Sequence, residues 1–220
     1  MSRILTAILT IVLLAATHLA YAQSSAQRIR GDVVVLEGTN VRIESPEGEE
    51  LTVKLMDDVR LTAVSRASAA DIKAGSFVGA TAMAQPDGTL KASEVHIFPE
   101  SMRGTGEGHR PMDSRPGSTM TNATVSRISE AKRPASGTTT NATVAKVAVA
   151  SEALKLTLQY KGGEQIVAVE ADTPVVFLEP GDRALLAPGA HVVLNATRQR
   201  DGSLASNRIT VGKNGTVPPM

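Results

Sequence analysis

The side chains best suited to chemistry cluster in one stretch. Met102, His109, Met112 and Met120 fall within nineteen residues. Thioether and imidazole together form a soft donor set of the kind that suits copper. Met102, His109 and Met112 are therefore the candidate metal ligands. Glu94 and His96, two apart in a strand-like run, would share one face and could add a ligand pair. The bland alternative is that the methionines anchor a linker folded back over the protein, since Met is a flexible gap-filler. The same stretch contains Arg103-Gly104-Thr105-Gly106-Glu107-Gly108-His109-Arg110. Successive backbone N–H groups here could form an anion-binding nest, so Arg103, Gly104, Gly106, Gly108, His109 and Arg110 are the candidate residues for binding a ligand or partner. A nucleotide loop is excluded, because no Lys-Ser/Thr pair follows and Glu107 stands where phosphate would sit.

Catalytic candidates are poor. Asp57 and Asp58 are adjacent, and successive strand residues point to opposite faces, so they cannot act jointly as acid and base. His96, His109 and His191, the histidines beyond residue 22, stand in no hydrolase motif. The expectation is a protein without enzymatic activity, with no catalytic residues and no cofactor unless copper binds.

These residues must be positioned by a chain of 220 residues with no Cys, no Trp, three Phe and two Tyr. Arg3, the apolar run Ile4–Ala16 and the small-x-small pattern Ala20-Tyr21-Ala22 read as a signal peptide over residues 1–22, cleaved after Ala22. No later stretch is long enough to span a bilayer as a helix. A soluble periplasmic or secreted protein is expected, not membrane-spanning once the signal is removed. Removing Arg3 leaves 22 basic against 22 acidic residues. That neutrality lacks the positive footprint of a nucleic-acid binder, and the scarcity of aromatics removes stacking platforms for bases.

Sliding the chain by 114 residues pairs 48–97 with 162–211 without a gap, and twelve of the fifty pairs are identical. Among them are Gly48/Gly162, Gly75/Gly189, Asp87/Asp201 and Gly88/Gly202. This reads as a tandem repeat. Within each copy, apolar and polar residues alternate with period two: Val41 and Ile43, then Leu51, Val53 and Leu55 in the first, and Leu154, Leu156 and Leu158 in the second. Asp87-Gly88 and Asp201-Gly202 sit between strand runs as hairpin turns. Residues 68–72 read as one helical turn before the last hairpin. The expected fold is all-β: two tandem small OB-like antiparallel barrels, with β-sandwiches as the alternative, each with one short helical turn. The expected domains are 28–100 and 140–214, joined by a Gly/Pro/Ser/Thr-rich linker over 101–139. Domains of about 70 residues bury little surface alone, so the two should pack on each other.

A short repeat complicates the linker: Thr121-Asn122-Ala123-Thr124-Val125 recurs as Thr140-Asn141-Ala142-Thr143-Val144. The later copy runs directly into Val147, Val149 and Leu154 and is expected to open the second domain; the earlier one is an extra strand or an insert. With the signal peptide, the phrase Ser101–Pro111, the stretch Gly117–Asn122 and the Pro-Asp-Gly-Thr-Leu hairpin, the chain resembles a family of exported bacterial proteins. Their small OB-like β domain has no assigned function, and relatives are sometimes labelled metal-transporter permeases. The resemblance implies a periplasmic β protein and supplies no catalytic residues. The permease label conflicts with the absence of any apolar span beyond residue 22. The expected function is binding of another envelope protein or a small molecule through the 101–120 loop and the barrel face beneath it, by strand addition in the simplest case. A periplasmic copper-binding protein is the alternative, and an enzyme of unknown class the third reading.

Overall fold

The computed structural model describes residues 26–112, 116–131 and 153–219. The expected signal peptide, residues 1–22, and the second Thr-Asn-Ala-Thr-Val segment lie outside them. The protein is all-β. In chain order the strands are β1 (Ala26–Glu37), β2 (Asn40–Glu44), β3 (Glu50–Ala67), β4 (Phe77–Ala84), β5 (Leu90–Ile97), β6 (Gly108–Pro111), β7 (Ser118–Ala131), β8 (Ala153–Tyr160), β9 (Gly163–Val169), β10 (Val175–Pro180), β11 (His191–Arg198) and β12 (Leu204–Gly212). The helical turns expected before each last hairpin are single 3-10 turns at Ala69–Asp71 and Arg183–Leu185.

Pairing closes two rings. β1 pairs with β2, β2 with β3, β3 in parallel with β12, β12 with β11, and β11 returns to β1. In the second ring β7 pairs with β8, β8 with β9, β9 in parallel with β5, β5 with β4, and β4 returns to β7. Each ring has the connectivity of an OB-type barrel: three meandering strands closed by a hairpin. The hairpin, however, comes from the other half of the chain. The first barrel takes β1–β3 from the first half and β11–β12 from the second; the second takes β7–β9 from the second half and β4–β5 from the first. The domain limits 28–100 and 140–214 therefore do not coincide with the barrels. Nor is 101–139 a plain linker, because β6 and β7 lie in it. The earlier Thr121–Val125 segment is the opening strand of the second barrel.

The long strand β3 and the short strand β10 make the crossing. β3 runs 18 residues without a break, where the sequence pattern suggests two strands, and its end pairs antiparallel with β10, Thr62 opposite Pro180 and Ala67 opposite Val175. Val64, Val176 and Leu178 are buried there, with Phe98 packed against them. Each exchanged hairpin is latched to its host. Gly75 N–H donates to Val125 O at 2.8 Å and Gly189 N–H to Val33 O at 2.7 Å. Both glycines hold positive φ, 87° and 81°, in a region that a side chain disfavours.

Each barrel has its own core. Val41, Ile43, Val53, Leu55 and Ile209 fill the first; Val78, Val95, Val125, Leu156 and Leu158 fill the second, and all ten are fully buried. The alternation in the sequence supplies these residues, with one face of every strand turned inward.

Candidate functional site

Segment 98–112 does not hang free. It lies against the outer wall of the second barrel as a strap, and β6 within it pairs antiparallel with β7. On the wall, residues directly opposite one another form two rows. One runs Glu94 (β5), Thr81 (β4), Met120 (β7), Arg110 (β6); the other runs His96, Gly79, Asn122, Gly108. Core residues Val78, Ala80, Val95 and Ile97 alternate with them, so the rows face away from the barrel interior.

An outer face would ordinarily be solvated. Here it is covered. Four of the seven buried polar residues among those described, Thr81, Glu94, Ser118 and Asn122, lie on this one wall. Thr81 Oγ1 donates to Glu94 Oε1 at 2.8 Å, and Glu94 is 1% exposed. Met112 Sδ, from the strap, and Met120 Sδ stand 3.7 and 3.9 Å from the same hydroxyl oxygen. A hydroxyl has one proton, and the short carboxylate bond takes it, so both sulfurs keep their lone pairs. His96 Nε2 lies 3.8 Å from Glu94 Oε1. Burial, and then the Arg28 charge, push the His96 imidazole down from its usual 6.5 to about 4, so it is neutral near pH 7. Arg28 stands on β1 of the first barrel. Its own pKa is lowered, first by burial and then by Arg30, against the pull of Glu94. Asn122 donates from Nδ2 to Thr105 O at 3.0 Å, while its Oδ1 is buried with no hydrogen-bond partner among the described residues. Gly79 makes room for it: a Cβ there would stand 2.7 Å from that Oδ1 and 3.0 Å from Phe98.

The residues expected to cradle an anion act as fasteners instead. Arg103 grips both Glu100 oxygens, at 2.5 and 2.8 Å, donates to Gly75 O at 2.9 Å and lies over the Phe77 ring. Gly104, Gly106 and Gly108 carry the turn at positive φ, and Arg110 folds back onto Gly106 O at 2.7 Å. Glu107 accepts from Lys161 N–H at 2.9 Å and ties the strap to the β8–β9 turn. The strap is thus built of internal bonds where the sequence suggests an open nest.

The set Met102, His109 and Met112 does not hold together. His109 Nδ1 bonds Thr121 Oγ1 at 2.8 Å and its ring stacks on Tyr160. Thr121 and Tyr160 belong to the inner side of the barrel, whereas Met112 reaches the outer wall. Met102 sits on a 3-10 turn, Glu100–Met102. Glu94 and His96 share one face, as their spacing suggests, while Met112 meets Met120 at the Thr81 hydroxyl instead of joining Met102 and His109. Among the described residues no group of three or more His, Cys, Asp or Glu gathers as a metal site, and no helix is long and apolar enough to cross a membrane.

Thr81, Gly79 and Arg28 carry no motif, and Asn122 stands out only through the repeated Thr-Asn-Ala-Thr-Val segment. One signal does mark the wall: under the 114-residue shift, Gly79, Thr81, Glu94 and His96 face Val193, Asn195, Arg208 and Thr210. The scaffold positions match between the two halves, and these four do not. A separate cleft of about 420 Å³ lies on the first barrel, where His191 Nδ1 and Asp32 Oδ1 are in hydrogen-bond contact beside Arg30 and Ser45.

Comparison with protein-family models, with curated proteins and with solved structures finds no match to this chain.

Proposed function

We propose that the protein is a non-catalytic binding protein of the bacterial envelope, exported by the residue 1–22 signal, whose ligand engages the strap-covered wall of the second barrel. The observation that carries this reading is the concentration of buried polar side chains on an outer barrel face, including an Asn122 Oδ1 with no partner among the described residues. Burying a polar atom such as Asn122 Oδ1 without a compensating hydrogen bond costs roughly 1–3 kcal/mol in proteins, a cost that a wall built only for stability would avoid. The equivalent positions of the other half carry a different set. A strap fastened at Glu100–Arg103 and Glu107–Lys161 covers the wall without entering the core, so it can part from the wall while both barrels stay closed.

The test uses the isotope-labelled exported chain and envelope extract separated into a fraction of small molecules and ions and a fraction of proteins. Backbone amide shifts confined to β4, β5, β7 and the strap with either fraction are expected. Shifts that map to the first barrel, or none with either fraction, would refute the reading.

A further inference from the structure

The wall combines donors of one chemical character. Met112, just beyond β6, and Met120, on β7, present two thioether sulfurs to the same hydroxyl oxygen. His96 stands on the neighbouring strand, its Nε2 3.8 Å from Glu94 Oε1, which Thr81 holds at 2.8 Å. Thioether and imidazole donors favour soft ions over hard ones. Met has three rotatable side-chain bonds, so the sulfurs can close on an ion without a backbone change.

We infer that Met112, Met120 and His96 bind one soft monovalent cation of the copper(I) class on the outer wall of the second barrel. Glu94 sits beside it as the counter-charge. Met83, 41% exposed and two residues along β4 from Thr81 on the same face, is the surface thioether at which the ion arrives. This rests on the strap-covered wall being the binding surface, and names its ligand. It replaces Met102 and His109 in the donor set with Met120 and His96.

The test titrates the intact exported chain with silver(I) in chloride-free buffer, with copper(I) against a colorimetric chelator, and with zinc(II), read by native mass spectrometry and by methyl spectra of labelled methionine. One silver(I) or copper(I) per chain, with Met112 and Met120 methyl shifts and a still Met56, is expected, and no zinc(II) retention. The paired variant Met112→Leu/Met120→Leu keeps the shape and hydrophobicity of the wall, so it should fold. It should lose at least the roughly 10–100-fold in affinity that removal of even an outer-shell partner costs a metal site. His96→Gln should weaken binding as well, and Met56→Leu should not. No retention by the native chain, equal retention by the paired variant, or preference for zinc(II) would each overturn the assignment. Loss of the cation with wall amides still responding to envelope fractions would sink this inference and leave the binding reading standing; the reverse failure is visible in the amides alone.

Discussion

Because each barrel borrows its closing hairpin from the other half of the chain, damage to one core must be felt in the other. Leu55 is fully buried in the first barrel. Leu55→Ala removes three carbons from a closed core and should cost roughly 2–5 kcal/mol, the range for a Leu-to-Ala cavity. Tyr160 packs against the core of the second barrel and is the only Tyr beyond residue 21 in a chain without Trp. Its fluorescence therefore reports on a barrel that the substitution does not touch. With a urea m-value near the upper end of the usual range of roughly 1–3 kcal/mol/M, the Tyr160 midpoint should fall by about 0.7–1.7 M. Circular dichroism should give the same single transition. A Tyr160 midpoint unchanged by Leu55→Ala, beside a biphasic dichroism curve, would refute the interlocked arrangement, because two self-contained barrels would unfold separately.

Other consequences are as direct. His96 has a folded pKa of about 4, depressed from 6.5 by burial and by Arg28. The unfolded chain therefore binds more protons between those values, and stability present above pH 6.5 is lost as pH falls toward 4. At about 1.36 kcal/mol per unit the loss approaches about 3 kcal/mol, and urea melts at pH 7 and pH 4.5 should show a steeper fall for the native chain than for His96→Gln. Gly31→Ala places a Cβ 2.1 Å from Glu44 O between β1 and β2. It should destabilise by at least the roughly 1–3 kcal/mol of an overpacked core, and an unchanged melting point would contradict the register there. Arg103→Ala removes the grip on Glu100 and Gly75. Amide exchange should speed up along the strap from Glu100 to Met112 while the core strands keep their protection; equal protection throughout would show that the strap is fastened elsewhere.

Much of the local structure is legible in the sequence. Asp87-Gly88 and Asp201-Gly202 make matching turns, with Gly88 and Gly202 at φ 81° and 85° and each Asp accepting from the residue two ahead. The alternating apolar residues are buried, except Leu51 and Leu154, which are partly buried against the cores. The pairing of the hairpins is not legible, for a physical reason. The two halves present nearly the same hairpin to nearly the same open barrel, so local pattern does not choose between them. The choice rests on the uninterrupted extension of β3 and on its pairing with β10, neither of which has a turn or cap signature. The site was half legible. Glu94 and His96 share a face because their spacing is even. His109 and Met112 part because β6 is a strand, and an odd separation sends them to opposite sides. The importance of Thr81, Asn122 and Gly79 comes only from what lies across the strands from them.

The wall exists because the β4–β5 hairpin of the first half lies beside β7 of the second, and cross-linking tests that placement most directly. The chain has no native Cys. Met83 stands opposite Ser118 across β4 and β7, whereas Ala26 stands opposite Thr197 on the first barrel. In a chain whose halves closed on their own hairpins, Met83 would take the place of Thr197 opposite Ala26. The pair Met83→Cys/Ser118→Cys should oxidise readily to a disulfide within one chain, and Ala26→Cys/Met83→Cys should remain reduced under the same conditions. The opposite result, a bond between 26 and 83 and none between 83 and 118, would contradict the exchanged barrels and with them the wall on which binding is proposed.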